Sequence, residues 1–147
     1  MNKKHLNILL ADDDSDDRNF FKDALKELKN DAKLTTVNDG EELMKYLSDH
    51  AEELPDVLFL DINMPRKNGF DCLAEIKKNE TLKTLPVVMF STSNSQEKIN
   101  FTFQSGAHVY VHKPNEFVQL VKVIHHAIQI TTEKLFSNSN LKYILNA

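Results

Sequence analysis

Apolar residues along the chain form short continuous runs that alternate with segments of helical periodicity. The continuous runs predict five strands, at residues 6–11, 34–37, 57–60, 87–90 and 109–111. Apolar residues at helical spacing predict five helices, at residues 15–28, 40–47, 70–78, 95–105 and 117–130. Strands and helices that alternate with short connections are typical of βαβ units and a parallel sheet.

Five such units predict an α/β fold with a doubly wound, five-stranded parallel sheet of the flavodoxin-like type. Right-handed crossovers would place helices on both faces of the sheet. The commonest strand order for five strands is 2-1-3-4-5, which brings the carboxyl ends of the first and third strands together. We expect one domain over residues 5–130 and a C-terminal extension over residues 131–147. The extension contains several apolar residues, so we expect it to prolong the last helix or to fold back onto the domain.

The size and charge of the chain fit a single cytoplasmic globular domain. Of 147 residues, 41% are hydrophobic and 27% are charged. The net charge of −4, without a dense run of Lys or Arg, argues against nucleic acid as a partner. No apolar stretch reaches the length of a signal peptide or a membrane span, so no membrane partner is expected. The single cysteine, Cys72, excludes an internal disulfide and fits a buried apolar position.

Polar residues follow four of the predicted strands, at one edge of the sheet. These residues are Asp12 and Asp13, Asp61, Ser91 and Lys113. Each alone has an ordinary explanation as a helix cap or a solvated residue. Two carboxylates about 4 Å apart repel each other by about 4 kcal/mol at an effective dielectric constant near 20, so the acids together predict a divalent cation. Mg²⁺ prefers oxygen ligands, and a carboxylate nucleophile beside Mg²⁺, a hydroxyl and an ammonium group suits phosphoryl transfer.

The motifs that contain these residues resemble the receiver domains of two-component response regulators. They are residues 8–13 (ILLADD), 60–69 (LDINMPRKNG), 86–91 (PVVMFS), 106–107 (GA) and 110–114 (YVHKP). Residues 79–86 (NETLKTLP) and 91–95 (STSNS) resemble in particular the single-domain, phytochrome-associated regulators. The resemblance covers about residues 5 to 130.

This resemblance implies a stand-alone receiver that is phosphorylated on Asp61 by a sensor histidine kinase or a phosphotransfer protein. It implies that Asp13, Asp61 and the backbone carbonyl of Asn63 hold Mg²⁺, while Asp12 assists through water. It does not imply an enzyme, because only self-phosphorylation and self-dephosphorylation are expected.

The resemblance also implies a conformational switch at the ends of the fourth and fifth strands. Ser91 matches the switch hydroxyl, Lys113 the lysine that pairs with the phosphate, and Tyr110 the aromatic residue whose rotamer follows that hydroxyl. Thr92 stands where many receivers carry Ala or Gly, and its bulk bears on access to the phosphoryl group. His112 stands where an apolar residue is more usual.

The family further implies a cis peptide bond between Lys113 and Pro114, which would aim the lysine inward.

Two enzyme or cofactor functions are alternatives. A phosphatase of the haloacid-dehalogenase type also uses an aspartate nucleophile with Mg²⁺, but it needs a second acid two residues later, where this chain has Asn63. A flavodoxin-like FMN site needs hydroxyls and free amides after the first strand. This chain has five acids among residues 12–17, and they would repel a phosphate.

Apolar residues that the predicted core does not use indicate an interaction face. Phe101 lies about 200° around its helix from the inward Ile99 and should face outward. The other interface candidates are Tyr110, His112, Val123 and Ile130. We expect a homodimer through the fourth helix, fifth strand and fifth helix, strengthened by phosphorylation. The alternative is a monomer whose C-terminal extension covers Phe101.

Overall fold

The computed structural model describes residues 5–28, 31–133 and 142–146, which form a six-stranded parallel sheet with the order β2-β1-β3-β4-β5-β6. The strands are β1 (Leu6–Ala11), β2 (Ala32–Val37), β3 (Val57–Leu60), β4 (Val87–Ser91), β5 (Val109–His112) and β6 (Tyr143–Leu145). The helices are α1 (Ser15–Glu27), α2 (Gly40–Asp49), α3 (Gly69–Lys78), α4 (Gln96–Gln104) and α5 (Phe117–Thr132). The flavodoxin-like α/β fold and the order of the first five strands are confirmed.

Helices cover both faces of the sheet and create two hydrophobic layers. One layer contains buried residues of α2, α3 and α4, and the other contains buried residues of α1 and α5. All four residues of β3 are buried, as a continuous apolar run predicts for a strand covered on both faces. Cys72 is also buried, in the layer with α3. None of the helices in the described part of the chain has the length and apolar character needed to cross a membrane.

Side-chain caps fix where four of the helices begin. Asp14, Asp39, Asn68 and Ser95 each accept a hydrogen bond from the backbone N–H three residues later. Asp14 therefore has the capping role that its place before the first predicted helix indicates. Asp12 and Asp13, which precede this cap, remain available for the sheet edge.

Two glycines hold the loop between β3 and α3 close to its neighbours. A Cβ atom on Gly69 would lie 2.2 Å from the backbone oxygen of Asp61, and one on Gly40 would lie 2.0 Å from that of Lys67. Neither position has room for a side chain. The loop that follows Asp61 is therefore fixed against α2 on one side and against the end of β3 on the other.

The sheet contains a sixth strand that the pattern of apolar residues does not reveal. β6 pairs in parallel with β5, with Val109 opposite Tyr143 and Val111 opposite Leu145. A strand of three residues is too short for a readable periodicity, and its pairing covers the edge of β5. Of the expected extension, residues 131–132 belong to α5 and residues 143–145 form β6. Residues 134–141 and 147 lie outside the described residues.

Three of the residues expected on the interaction face lie inside the molecule. The expected exposure of Tyr110, Val123 and Ile130 is wrong, because their exposed fractions are 0%, 4% and 1%. Val123 and Ile130 pack in one cluster with Leu145 of β6, whereas Tyr110 points into the opposite layer. Phe101 is 47% exposed, as its helical position predicts.

Residues 20, 21, 24, 25 and 28 are apolar at helical spacing and so predict the inward stripe of α1, but one of them lies at the surface. Phe20 is 42% exposed and packs edge-on against Phe117, with 5.8 Å between ring centroids. It lies at the border of the α1 stripe, where α5 covers only part of the ring.

Candidate functional site

Three acids converge where β1 and β3 end. Ala11 lies opposite Leu60 in the parallel register, so the residues that follow them, Asp12 and Asp61, leave the sheet side by side. The backbone N–H of Asp61 donates to the carbonyl of Ala11 over 3.0 Å. One carboxylate oxygen from each of Asp12, Asp13 and Asp61 lies within 4.8 Å of the others. The register therefore assembles the acidic cluster that the sequence predicts.

The chemistry of this cluster fits a divalent metal ion. Asp12 is fully buried and Asp61 is 7% exposed, whereas Asp13 is open to solvent. Buried carboxylates at this separation need a positive charge between them. Carboxylate oxygens are the ligands that Mg²⁺ and Mn²⁺ take in proteins, and the open side at Asp13 leaves room for water ligands.

Lys113 brings one positive charge to the acids from the end of β5. Its ammonium lies 2.8 Å from Asp12 Oδ2, 3.0 Å from Asp17 Oδ2 and 3.7 Å from Asp61 Oδ2. The stem passes over the ring of Phe90, with Nζ 5.1 Å from the ring centroid. The side chain is only 9% exposed, so its ion pairs with the buried Asp12 and Asp61 are little screened by solvent.

The site raises the pKa values of both its central acid and its central base, by burial for Asp61 and in opposition to burial for Lys113. Burial raises the pKa of Asp61 to about 7, and Lys113, which lowers it, does not offset this effect. Asp12 and Asp13 raise the pKa of Asp61 further, while the backbone N–H of Asn63 lowers it by donating to Asp61 Oδ1 over 3.4 Å. For Lys113, burial lowers the pKa, but the attraction of Asp61 and Asp12 outweighs it and the pKa is raised.

The residues of the expected switch lie beside the acids, on β4 and β5. Ser91 is buried, and its Oγ accepts a hydrogen bond from the N–H of Ser93 over 3.1 Å. Tyr110 points inward and its hydroxyl donates to the carbonyl of Ser93 over 2.7 Å. Thr92 is exposed, and its carbonyl lies 2.9 Å from Nε2 of the half-buried His112. Tyr110 and His112 therefore both contact the loop after β4.

The expected cis bond between Lys113 and Pro114 is absent. No peptide bond among the described residues is cis. Lys113 reaches Asp12 from a trans peptide, which is the isomer of lower free energy. The prediction is therefore wrong for this structure.

Sequence reasoning did not assign three residues that contact the site. The carboxylate of Asp17 contacts Lys113, the ring of Phe90 lies under the lysine, and Arg18 donates to the carbonyl of Asp12 over 2.7 Å. The sequence contains an indication that Asp17 has a further contact. Residues 12–17 include five acids, which is more than a helix cap and the first helical turn need.

The chain resembles known proteins over most of its length. Residues 8–125 match the family described as response regulator receiver domain. The response regulator Rcp1 of Synechocystis sp. (strain ATCC 27184 / PCC 6803 / Kazusa) is 31% identical over 121 residues, which cover 80% of this chain and 82% of Rcp1.

Two solved structures of response regulators have the same fold. The phosphorylated cyanobacterial phytochrome response regulator RcpA matches with a TM-score of 0.79 and 32% identity, over 88% of this chain and 96% of RcpA. The Mn²⁺-bound form of Rcp1 matches with a TM-score of 0.74 and 29% identity, over 85% of this chain and 92% of Rcp1. The family match, the fold and the acidic site agree, and the chain belongs to the response regulator receiver domains of two-component signalling.

Proposed function

We propose that this receiver takes a phosphoryl group onto Asp61 from the phosphohistidine of a sensor histidine kinase or a phosphotransfer protein. The observation that carries the proposal is the position of Asp61, a nearly buried carboxylate beside two further acids and the Lys113 ammonium. A carboxylate oxygen of Asp61 attacks phosphorus while the P–N bond of the donor breaks. The electron pair leaves with the imidazole nitrogen, and the product is an aspartyl phosphate.

Asp13, Asp61 and the backbone carbonyl of Asn63 are the proposed Mg²⁺ ligands, and Asp12 acts through water. Mg²⁺ would neutralise charge on the transferring phosphoryl oxygens. The Mn²⁺-bound form of the similar Rcp1 supports a divalent metal in this site. The described geometry agrees, because Asp12 is held by Lys113 and by the N–H of Asp14, and only Asp13 is open to solvent.

The same site would signal through β4 and β5. Lys113 would donate to a phosphoryl oxygen, and Ser91 would turn its hydroxyl toward that group. This movement would break the hydrogen bond that the N–H of Ser93 donates to Ser91. The carbonyl of Ser93 accepts a hydrogen bond from the Tyr110 hydroxyl, so a change at Ser93 would also reach Tyr110. Thr92 would restrict access to the phosphoryl group, and its contact with His112 would carry the change to the surface.

We propose a stand-alone, cytoplasmic signalling role without chemistry beyond self-phosphorylation and self-dephosphorylation. The family match over residues 8–125 supports the signalling role. No observation favours the phosphatase alternative, since Asn63 stands where a second acid is needed.

A homodimer on the side of α4, β5 and α5 remains a proposal, in a revised form. β6 lies along the edge of β5, so the interface would combine α4 and α5 with β6. The exposed Phe101 and Ile144 support it.

Mass spectrometry of the intact protein tests the phosphorylation site. With acetyl phosphate and Mg²⁺, the wild-type protein should gain one phosphoryl group, and chelation of Mg²⁺ should prevent the gain. Asp61→Asn keeps the shape of the side chain but removes the nucleophile, so this variant should gain none. Labelling of Asp61→Asn at the wild-type level would refute the assignment.

A further inference from the structure

The Lys113 ammonium is shared unequally among three acids. An ammonium group has three N–H donors, and N–H···O hydrogen bonds are about 2.7–3.2 Å long. The distances of 2.8 Å to Asp12 and 3.0 Å to Asp17 lie within this range, whereas the 3.7 Å to Asp61 lies outside it. Two donors are therefore directed to other acids, and Asp61, the proposed acceptor, has the weakest contact with the lysine.

Asp17 differs from Asp12 in what its release from Lys113 would cost. Asp12 is fully buried, and a buried carboxylate that loses its partner is strongly destabilising. The side chain of Asp17 is 40% exposed, so water can replace the lysine there at little cost. When a new anion accepts a hydrogen bond from Lys113, Asp17 is therefore the acid that loses its contact with the ammonium.

Asp17 lies in the first turn of α1, and its carboxylate accepts a hydrogen bond from Lys113. Asp14 caps α1 by accepting from the backbone N–H of Asp17, so the side chain of Asp17 is not the cap. Asp17 is also not one of the three acids whose oxygens converge on the candidate metal site.

We propose that Asp17 is a positioning residue that competes with the phosphoryl group on Asp61 for Lys113, and so sets how tightly the pocket holds that group. The inference rests on the proposed function, because it requires a phosphoryl group on Asp61. While Asp61 is unmodified, Asp17 holds the ammonium on the α1 side of the pocket. After modification, the phosphoryl oxygens draw it toward Asp61 and Asp17 turns to solvent.

The affinity for beryllofluoride, a phosphoryl mimic, tests the competition at saturating Mg²⁺. Asp17→Asn should raise this affinity about fivefold, the size expected for one partly exposed ion pair. Asp16→Asn removes the same charge one residue away, at an exposed position, and should change the affinity less than about twofold because solvent and salt screen it. Asp17→Glu retains the charge and should return the affinity toward the wild-type value.

A double-mutant cycle separates competition for the lysine from a general effect of charge. In a Lys113→Ala background, Asp17→Asn should no longer raise the affinity. The inference is refuted if Asp17→Asn lowers the affinity, if it matches Asp16→Asn, or if its effect persists without Lys113. If Lys113→Ala binds too weakly for measurement, the comparison of the Asp17 and Asp16 variants decides. The proposed function fails separately, if wild-type Asp61 is not phosphorylated by acetyl phosphate.

Discussion

Asp61 is placed where its ionised form is least stable, although a nucleophile must be ionised to react. Burial raises its pKa to about 7, and Lys113 compensates only in part because it is closer to Asp12 and Asp17. A divalent cation supplies the missing positive charge and lowers the proportion of protonated Asp61. The metal is therefore expected to prepare the nucleophile as well as to bind the phosphoryl group.

The same pKa predicts how stability changes with pH in the absence of metal. The pKa of Asp61 is raised from 3.8 to about 7 by folding, so its contribution to stability is fully present below pH 3.8 and is lost as the pH rises through 7. Asp61→Asn is neutral at every pH. Its free energy of unfolding should match that of the wild type below pH 3.8, exceed it by about 1–2 kcal/mol at pH 5 and exceed it by about 4 kcal/mol at pH 8, at about 1.4 kcal/mol per pKa unit.

Urea unfolding of both proteins at pH 5 and pH 8 in EDTA measures this difference. Saturating Mg²⁺ should narrow the gap at pH 8, because the metal binds only the protein with an ionised Asp61. An equal difference at both pH values would contradict the assigned pKa.

At the scale of single residues, sequence patterns identify which side chains follow the strands. They do not identify contacts between side chains that are far apart in the chain. The continuous apolar run of β3 predicts that Asp61 leaves the sheet at its carboxyl edge, and parallel register then brings Asp12 alongside. The contact of Asp17 with Lys113 joins residues 96 positions apart. No local periodicity encodes it, because it depends on how α1 packs beside the end of β5.

At the scale of elements, β6 covers the edge of β5 and becomes the edge strand of the sheet on that side. Helical periodicity places Val123 and Ile130 towards the flank of α5, outside its inner stripe, yet both are buried. They belong to the same buried cluster as Leu145, which returns to the sheet from outside the five predicted units. The exposed fraction of a flank residue is therefore set by its neighbours and cannot be read from its own helix.

Two adjacent residues of β6 provide a matched test of this packing. Leu145 is 7% exposed and Ile144 is 46% exposed. Leu145→Ala should lower the free energy of unfolding by about 2–3 kcal/mol, the lower part of the range for truncated core leucines, because β6 is an edge strand. Ile144→Ala should cost less than about 1 kcal/mol. Equal losses in urea denaturation would show that β6 does not dock as described.

At the scale of the whole molecule, phosphorylation and assembly would use neighbouring surfaces. The site lies at the carboxyl edge of the sheet, and β4 and β5 lead from it toward α4, where Phe101 packs edge-on against Phe70 with 4.8 Å between ring centroids. A single exposed aromatic pair does not make an interface, since stable interfaces bury about 800 Å² per partner. A dimer would therefore need α5 and β6 as well as α4.

Sedimentation tests this assembly. The wild type should be more dimeric with Mg²⁺ and beryllofluoride than without them, and Phe101→Asp should weaken the dimer by at least tenfold, because a charge would be buried in the interface. Phe20→Asp changes an aromatic residue of similar exposure on α1 and should leave assembly unchanged. Monomers of the wild type at tens of micromolar in both states would exclude the dimer.

The buried Cys72 gives this molecule an internal reporter of motion. Burial raises the pKa of its thiol to about 12, and the sulfur lies 3.6 Å from the carbonyl of Gly40, the glycine that holds the loop after Asp61. A thiol reagent can reach this sulfur only when α2 and α3 separate, and no second cysteine competes for it. The rate of alkylation therefore reports how often α2 and α3 separate beside the loop that follows Asp61. A ligand that stabilises the closed form of this loop will slow alkylation, although it does not contact the cysteine.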